Sequence, residues 1–269
     1  MEYIATRDVE IPALGLGTWQ LRGDECRKAV ERALDIGYRH IDTAQMYNNE
    51  AEVGAAIANS GVERDEVFVV TKVLQENLAS DDVLESVGNS LERLGTHIDL
   101  LLIHSPSRSV PIGETIDAMN HLQREGDVEH IGVSNFSVRQ MQDAMSASAT
   151  PIVTNQVEYH PLKHRHEILE FCIDNDIMLT AYSPLAKQRV IGNETLQGIG
   201  ERYGKSEAQV ALRWLIQQEM VSAIPKAAGR AHQQENFDVF DFELTDSEME
   251  RVFDLQGGVT TRLREWLGL

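Results

Sequence analysis

The chain has 269 residues, of which 42% are apolar and 25% charged. That is the composition of a globular protein with a core, and no run approaches the roughly 18 apolar residues of a transmembrane helix. Asp and Glu total 43 against 24 Lys and Arg, a net charge of −19, which repels nucleic acid and anionic membranes and argues against both as general partners. Met1–Pro12 then predicts a short β-hairpin. Short apolar runs follow, first Ala13–Gly17, then runs centred on Ile41, Val70, Leu102, Val133, Val157, Thr180 and Ile224. The centres fall about 30 residues apart on average, the length of a βα unit. Val67–Val70 and Leu100–Ile103 are apolar without alternation, as strands buried on both faces are.

The segments between these runs read as helices. Asp24–Ile36 carries Ala29, Val30, Ala33 and Leu34 on one face and meets Gly37 as a stop. Asp81–Leu94 repeats the pattern with Val83, Leu84, Val87, Leu91 and Leu94, ending at Gly95. Ser137 with Gln140 has the spacing of a capping box. Ala186–Ile199 is less regular and is expected to be a loop. Glu207–Gln218 is a further helix, and Thr245 with Glu248 caps another. Eight such units in about 250 residues predict a (β/α)8 TIM barrel with an N-terminal hairpin. The absence of a linker or composition break makes residues 1–269 one domain. A doubly wound open sheet is the alternative architecture.

Polar residues stand where the strands end: Asp42, Lys72, His104, Ser134 and Asn135, Asn155 and Gln156, Tyr182 and Ser183, and Lys226. In a barrel those ends converge on one mouth. Singly, Asp42 reads as a cap, Lys72 and Lys226 as solvated ends and His104 as a core histidine; together they read as a site. Asp42 and Lys72 are opposite charges on adjacent strands, and Tyr47 follows Asp42 in the same loop. A free phenol has a pKa of about 10. A nearby ammonium is expected to lower it and make Tyr47 a general acid, with His104 donating to the same oxygen. The set suits carbonyl reduction and needs a bound hydride source.

The chain resembles the aldo-keto reductases, over nearly its whole length. The resemblance rests on Leu14-Gly15-Leu16-Gly17-Thr18-Trp19, on Gly37-Tyr38-Arg39-His40-Ile41-Asp42-Thr43-Ala44 with Tyr47 and Asn49-Glu50, and on Thr71-Lys72. It continues through Asp99 to His104, Gly132-Val133-Ser134-Asn135-Phe136, Asn155 to Pro161, Ala181 to Leu185, and Ile224-Pro225-Lys226. The compact length is similar to the prokaryotic branch that includes 2,5-diketo-gluconate reductases. The resemblance implies a catalytic tetrad of Asp42, Tyr47, Lys72 and His104, and NADPH as cofactor, with NADH possible. It implies that Thr18 belongs to the cofactor site and that Ser134, Asn135 and Gln156 hold the carboxamide. Tyr182 would stack on the nicotinamide, and Ser183 and Leu185 would approach the pyrophosphate. Lys226, Ala227 and His232 would face the adenosine phosphate, with Glu235 and Asn236 near adenine. Trp19, Tyr47 and His104 would line the substrate pocket, with Met46 and Arg108 as further candidates. The partner implied is a small-molecule carbonyl substrate, the chain acting as a monomer and without a metal.

Some positions depart from the family. Ser105 replaces a frequent Trp after the catalytic His. His232 replaces a frequent Arg, whose bidentate fork a His cannot reproduce; Ala227 replaces Ser or Thr, and Arg230 is a candidate substitute. With Trp266 close to the end, no long C-terminal specificity loop is expected. Gly15-Leu16-Gly17 has Gln20 where a dinucleotide fingerprint needs a third glycine. His160, His164 and His166 read as a solvated face. Cys172 reads as a core thiol and Cys26 as partly exposed; two cysteines without partner spacing, and no apolar leader segment, fit a reducing cytoplasm. A non-catalytic nucleotide-binding barrel serving as a regulatory subunit is the alternative function.

Lysine occurs 6 times and arginine 18 times, and a carboxylate-rich, lysine-poor chain resembles proteins of salt-saturated cytoplasm. The Debye length shrinks from about 10 Å at 0.1 M salt to about 3 Å at 1 M. Thermal stability is therefore expected to rise from dilute buffer to molar KCl and then level off. Melting curves across that range check this, and a Tm that stays flat or falls with salt counts against it.

Overall fold

The computed structural model describes residues 1–7 and 9–256. The hairpin pairs β1 (Tyr3–Thr6) antiparallel with β2 (Val9–Pro12), Tyr3 facing Pro12 and Thr6 facing Val9. Eight parallel strands follow: β3 (Leu16–Gly17), β4 (His40–Asp42), β5 (Phe68–Val73), β6 (Ile98–Ile103), β7 (Val128–Ser134), β8 (Ile152–Glu158), β9 (Met178–Tyr182) and β10 (Val221–Ala223). Each pairs with the next in chain order. The sheet closes on itself at its ends. Leu14 bridges Ala223 in parallel, the Gly15 N–H donates to Ala223 O at 2.9 Å, and the Gly17 N–H donates to Pro225 O at 3.1 Å. Closure brings the Gly17 backbone so near that a Cβ there would stand 2.8 Å from Ile224 O. This seam makes a barrel and overturns the open-sheet alternative.

The strands follow their pattern. On β5 and β6, Val69, Val73, Leu101 and Ile103 face the helices, while Val70, Leu100 and Leu102 point inward to meet Ile11, Phe68, Val153 and Met178. Period-two alternation from Val70 places Lys72 inside the barrel, one layer above this apolar floor. Ile11 comes from β2, so the hairpin supplies part of that floor. The last strand ends at Ala223, just before the expected centre at Ile224.

Ten α-helices are described: α1 (Gly23–Ile36), α2 (Glu50–Asn59), α3 (Ser80–Leu94), α4 (Ile112–Glu125), α5 (Val138–Ala147), α6 (His166–Asp174), α7 (Glu194–Tyr203), α8 (Glu207–Ile216), α9 (Arg230–Phe237) and α10 (Asp246–Phe253). Gly37 and Gly95 end α1 and α3, and capping boxes form at Ser137–Gln140 and Thr245–Glu248. The segment expected as a loop over 186–199 instead holds a 3₁₀ turn at Ala186–Gln188 and the start of α7. Asn193 caps α7 by accepting from the Thr195 and Leu196 N–H groups, and Leu196 and Ile199 bury its inner face. Two internal glycines, Gly198 and Gly200, obscure that helix in the sequence.

Cys172 is buried, and so is Cys26, against expectation. Cys26 stands on the core face of α1 with Ala29 and Val30, and burial pushes its thiol up to about 12. The expected solvated face of histidines is also corrected. His160 is fully buried, and His164 packs against Tyr159, Trp214 and Phe253. Trp266 lies outside the described residues. No helix among the described residues is long and apolar enough to cross a membrane.

Helices α2 and α3 meet at Gly54, where a Cβ would stand 2.1 Å from Leu94 O, whereas Gly88 in α3 faces open space. Gly54→Ala is expected to destabilise the fold by about 1–3 kcal/mol, the cost of overpacking. Gly88→Ala should instead stabilise it by about 0.5–1 kcal/mol through lost unfolded-state freedom. Chemical denaturation of the two variants measures both signs, and equal effects would show that the α2–α3 approach is not tight.

Candidate active site

At the C-terminal mouth of the barrel a cleft of about 340 Å³ is lined by Gly17, Trp19, Asp42, Met46, Tyr47, His104, Ser134, Asn135, Gln156, Glu158, Tyr182, Ser183, Lys187, Ile224 and Lys226. Residues from seven strand ends and the loops after them therefore meet in one place. At its base the Lys72 ammonium is wholly buried. It donates to Asp42 Oδ1 at 2.7 Å, to Thr43 O at 2.8 Å and to Tyr47 Oη at 3.5 Å. The other Asp42 oxygen accepts from Gln156 Nε2 at 2.7 Å. Every proton of the ammonium and both oxygens of the carboxylate thus have partners, the condition under which a buried ion pair persists.

The loop carrying Tyr47 is pinned on both sides. Buried Gln45 accepts from the Leu74 N–H at 2.9 Å and donates to Ser90 Oγ at 3.2 Å. Asn49 accepts from Thr43 Oγ1 and donates to Thr18 O and Leu21 O. Thr18 spends its hydroxyl on Asp42 O at 2.9 Å. The Tyr47 and His104 rings stand edge to face, 5.9 Å between centroids.

The charges differ from the expectation at one point. For Lys72, burial opposes the charge, but Asp42 and Tyr47 outweigh it and hold its pKa above the ordinary value. For Tyr47, burial is the largest influence and raises the phenol pKa; the pull of Lys72 does not overcome it. The ammonium was expected to lower that pKa. In the folded protein the phenol instead holds its proton more firmly than free tyrosine. Burial, then Lys72, brings His104 down to about 4, so its imidazole is neutral near pH 7.

On the opposite side of the cleft the polar groups are knit together. Ser134 Oγ donates to Gln156 O at 2.8 Å, and Tyr182 Oη donates to Asn135 Oδ1 at 3.0 Å. Asn135, in the left-handed region at φ 62°, donates to His104 O and Ser134 Oγ. Both its N–H groups are spent, whereas Gln156 keeps one N–H and its carbonyl oxygen for a ligand. An amide, an aromatic ring and the Lys226 cation along one cleft are the donor set that an amide-bearing ring joined to phosphates would need. Among the other expected cofactor residues, half-buried Leu185, buried Ala227 and buried Asn236 lie outside the cleft. Glu235 accepts from Ser206 Oγ, and His232 is 78% exposed with Nδ1 3.5 Å from Glu235. Arg230 is held by Asp35 at 2.7 Å. Met46 lines the cleft and Arg108 does not.

Glu158 and Lys187 line the cleft without having been singled out in the sequence. Glu158 lies inside the Asn155–Pro161 block and Lys187 two residues beyond Leu185, positions that counting outward from those blocks would reach. The one trio of possible metal ligands among the described residues, His97, Asp99 and Glu129, lies at the far end of the barrel. There Asp99 is bound by Arg64 at 2.5 Å.

Comparison with known proteins matches residues 13–256 to the Aldo/keto reductase family. The chain is 39% identical to the glyoxal reductase of Bacillus subtilis (strain 168), over 91% of this chain and 88% of that protein. It is 41% identical to the 9,11-endoperoxide prostaglandin H2 reductase of Trypanosoma cruzi (strain CL Brener), over 92% and 88%. A solved structure of a candidate 2,5-diketo-D-gluconic acid reductase B superimposes with a TM-score of 0.94 at 46% identity, covering 95% of this chain and 92% of that one.

Burial sets the acid stability of the fold. His40, His104 and His164 are all held below the ordinary imidazole value, the last two down to about 4. Between about pH 6.5 and pH 4 the unfolded chain takes up these protons and the folded chain does not. Acidification through that window therefore favours unfolding, while above it neither state is protonated and the effect vanishes. Thermal melts are expected to show Tm falling from about pH 6.5 to pH 4, and His104→Asn should flatten that slope by about one proton. An unchanged slope in this variant would mean that His104 is not held neutral by the fold.

Proposed function

The chain belongs to the Aldo/keto reductase family, and on that premise we propose that it reduces aldehydes or ketones to alcohols with NADPH, accepting NADH, and that Tyr47 is its proton donor. The observation that carries this reading is the buried line Asp42–Lys72–Tyr47 opening into the cleft beside His104. The relatives compared are reductases matched over most of their own length, which supports carbonyl reduction and not a regulatory subunit.

The reduced nicotinamide, when bound, supplies a hydride to the carbonyl carbon. The protein's task is to place the carbonyl and manage one proton. Tyr47 Oη gives its proton to the carbonyl oxygen, leaving a phenolate. That phenolate forms 3.5 Å from the Lys72 ammonium, which Asp42 keeps charged and oriented. The raised pKa of the phenol keeps the proton in place until negative charge develops on the oxygen, and the ammonium then makes its departure feasible. His104 is neutral and has one N–H. Its Nδ1 is buried without a partner, so the proton belongs on Nε2, where it donates to the same oxygen. The free N–H and carbonyl of Gln156 would hold the carboxamide, tying the cofactor's position to Asp42. Tyr182 would pack against the ring, with Ser183 and Leu185 towards the pyrophosphate and Lys226 towards the adenosine phosphate. His232, exposed and beside Glu235, offers no bidentate grip on a 2′-phosphate. Preference for NADPH over NADH should therefore stay within about 100-fold, the span of one charged hydrogen bond. Both thiols are buried and free, as a reducing cytoplasm would keep them.

Tyr47→Phe is expected to lower kcat at least about 100-fold, the scale of general acid catalysis, with cofactor affinity nearly unchanged. Steady-state turnover of an aldehyde with NADPH and with NADH, alongside cofactor titration, reads all three quantities. Turnover of the variant close to the wild type would remove Tyr47 from the mechanism. A cofactor preference above about 1,000-fold would show a phosphate grip beyond the one charged contact considered.

A further inference from the structure

Peroxides oxidise thiolates and accessible thioethers, and the fold shields most of the sulfur in this chain. Both thiols are buried, and burial raises their pKa, Cys26 to about 12, so neither forms a thiolate near neutral pH. Of the eight methionines, all within the described residues, Met119, Met141, Met178 and Met249 are buried. Met1, Met145 and Met220 are half-buried. Met46 alone is exposed, at 46%, and it lines the candidate active cleft.

The local fold puts it there. Met46 is the middle residue of the 3₁₀ turn Gln45–Tyr47, where successive side chains point about 120° apart. Gln45 turns away to Ser90 and the Leu74 N–H, and Tyr47 turns into the barrel towards Lys72. The direction left to Met46 opens on the cleft. The Tyr47 N–H donates to Ala44 O at 2.9 Å and the Asn48 N–H to Gln45 O at 3.2 Å, so the turn holds the thioether next to the proposed proton donor. Trp19, 43% exposed, lines the same cleft. Among the described residues these two side chains give the cleft its exposed large apolar surface.

Resting on the reductase reading for its effect on turnover, we propose that Met46 is a reversible oxidation site whose state sets how well the cleft accepts apolar carbonyl substrates. Its sulfur gives an electron pair to one oxygen of hydrogen peroxide, and the O–O bond breaks. The sulfur, oxidised by two electrons, keeps that oxygen as a sulfoxide; the other oxygen leaves as water with both protons. A polar acceptor then stands where a polarizable apolar wall stood. An apolar substrate loses a contact there, and a small polar aldehyde, which makes none, does not. A thiol-driven sulfoxide reductase reverses the change, oxidising two thiols to a disulfide and releasing the oxygen as water.

The test exposes wild type, Met46→Leu and Met46→Gln to hydrogen peroxide, removes the oxidant and follows oxygen uptake at each methionine by peptide mass spectrometry. Turnover of hexanal and of glycolaldehyde with NADPH, and NADPH titration, are measured before and after. In the wild type Met46 should be oxidised first. Its kcat/KM for hexanal relative to glycolaldehyde should then fall about 10-fold, the lower end of what burying a methionine side chain contributes, with NADPH affinity unchanged. The two epimer-specific methionine sulfoxide reductases with dithiothreitol should restore the ratio. Peroxide should leave the ratio of Met46→Leu where it started, and Met46→Gln should show a lower ratio than Met46→Leu without peroxide. Oxidation of other methionines ahead of Met46 would overturn the proposal whatever the turnover. So would an unchanged ratio after Met46 is oxidised, equal losses on both aldehydes, weakened NADPH binding, or the same fall in Met46→Leu, each leaving the reductase reading intact. An untreated wild type that reduces neither aldehyde would overturn both.

Discussion

A lysine ammonium inside a barrel, with no surface exposed to water, is costly unless its charge is met on every side. Lys72 is met by a carboxylate, a carbonyl and a phenol, one for each of its protons. The groups that meet it are the working parts of the cleft. Asp42 needs Gln156 to satisfy its second oxygen, so the strand carrying the amide is tied to the strand carrying the acid. Tyr47 needs its loop fixed, which Gln45 and Asn49 do from opposite sides. Removing one partner from such a pair commonly costs about 3–5 kcal/mol because the other charge is left stranded. Structure and chemistry therefore rest on the same contacts.

The rest of the fold treats its excess of acids by the same rule. Among the described residues two further carboxylates have side chains that are nearly fully buried, and each is matched. Glu50 is held by Arg93 and by Thr71 Oγ1, Glu248 by Arg202 and Tyr203. Thr71, the residue before Lys72 on β5, donates to Glu50, so β5 touches both the ion pair in the barrel and the one between α2 and α3. The remaining acids lie mostly on the surface, where salt screens them. Four lysines each bond a carboxylate; among the described residues Lys187 and Lys226 bond none, and both open on the cleft.

Much of this was legible in the residues alone. The spacing of apolar runs located eight strands, and Gly37, Gly95, Ser137 and Thr245 marked helix ends where they occur. One polar residue at the end of each of several strands predicted a shared mouth; Asp42, Tyr47, His104 and Gln156 do line it, with Lys72 buried beneath and bonded to Asp42 and Tyr47. These features are local or periodic. A helix stop depends on its own few residues, and alternation along a strand decides which side chains point inward once the barrel forms.

What tertiary structure decided is burial and what it does to charge. Nothing near Cys26 or His164 in the chain shows that another element will cover them. Cys26 faces the core from α1, and His164 is enclosed by Trp214 and Phe253, far along the chain. The proton affinity of Tyr47 is a balance between desolvation, which the whole barrel imposes, and a single ammonium. The sequence displayed the ammonium and hid the desolvation, and the desolvation prevails. Lys187 looked like one lysine of six until the fold left it unpaired against Trp19. The chain's own order thus determined which residues could meet. Packing between distant segments, which no local pattern encodes, determined how dry and how charged their meeting place is.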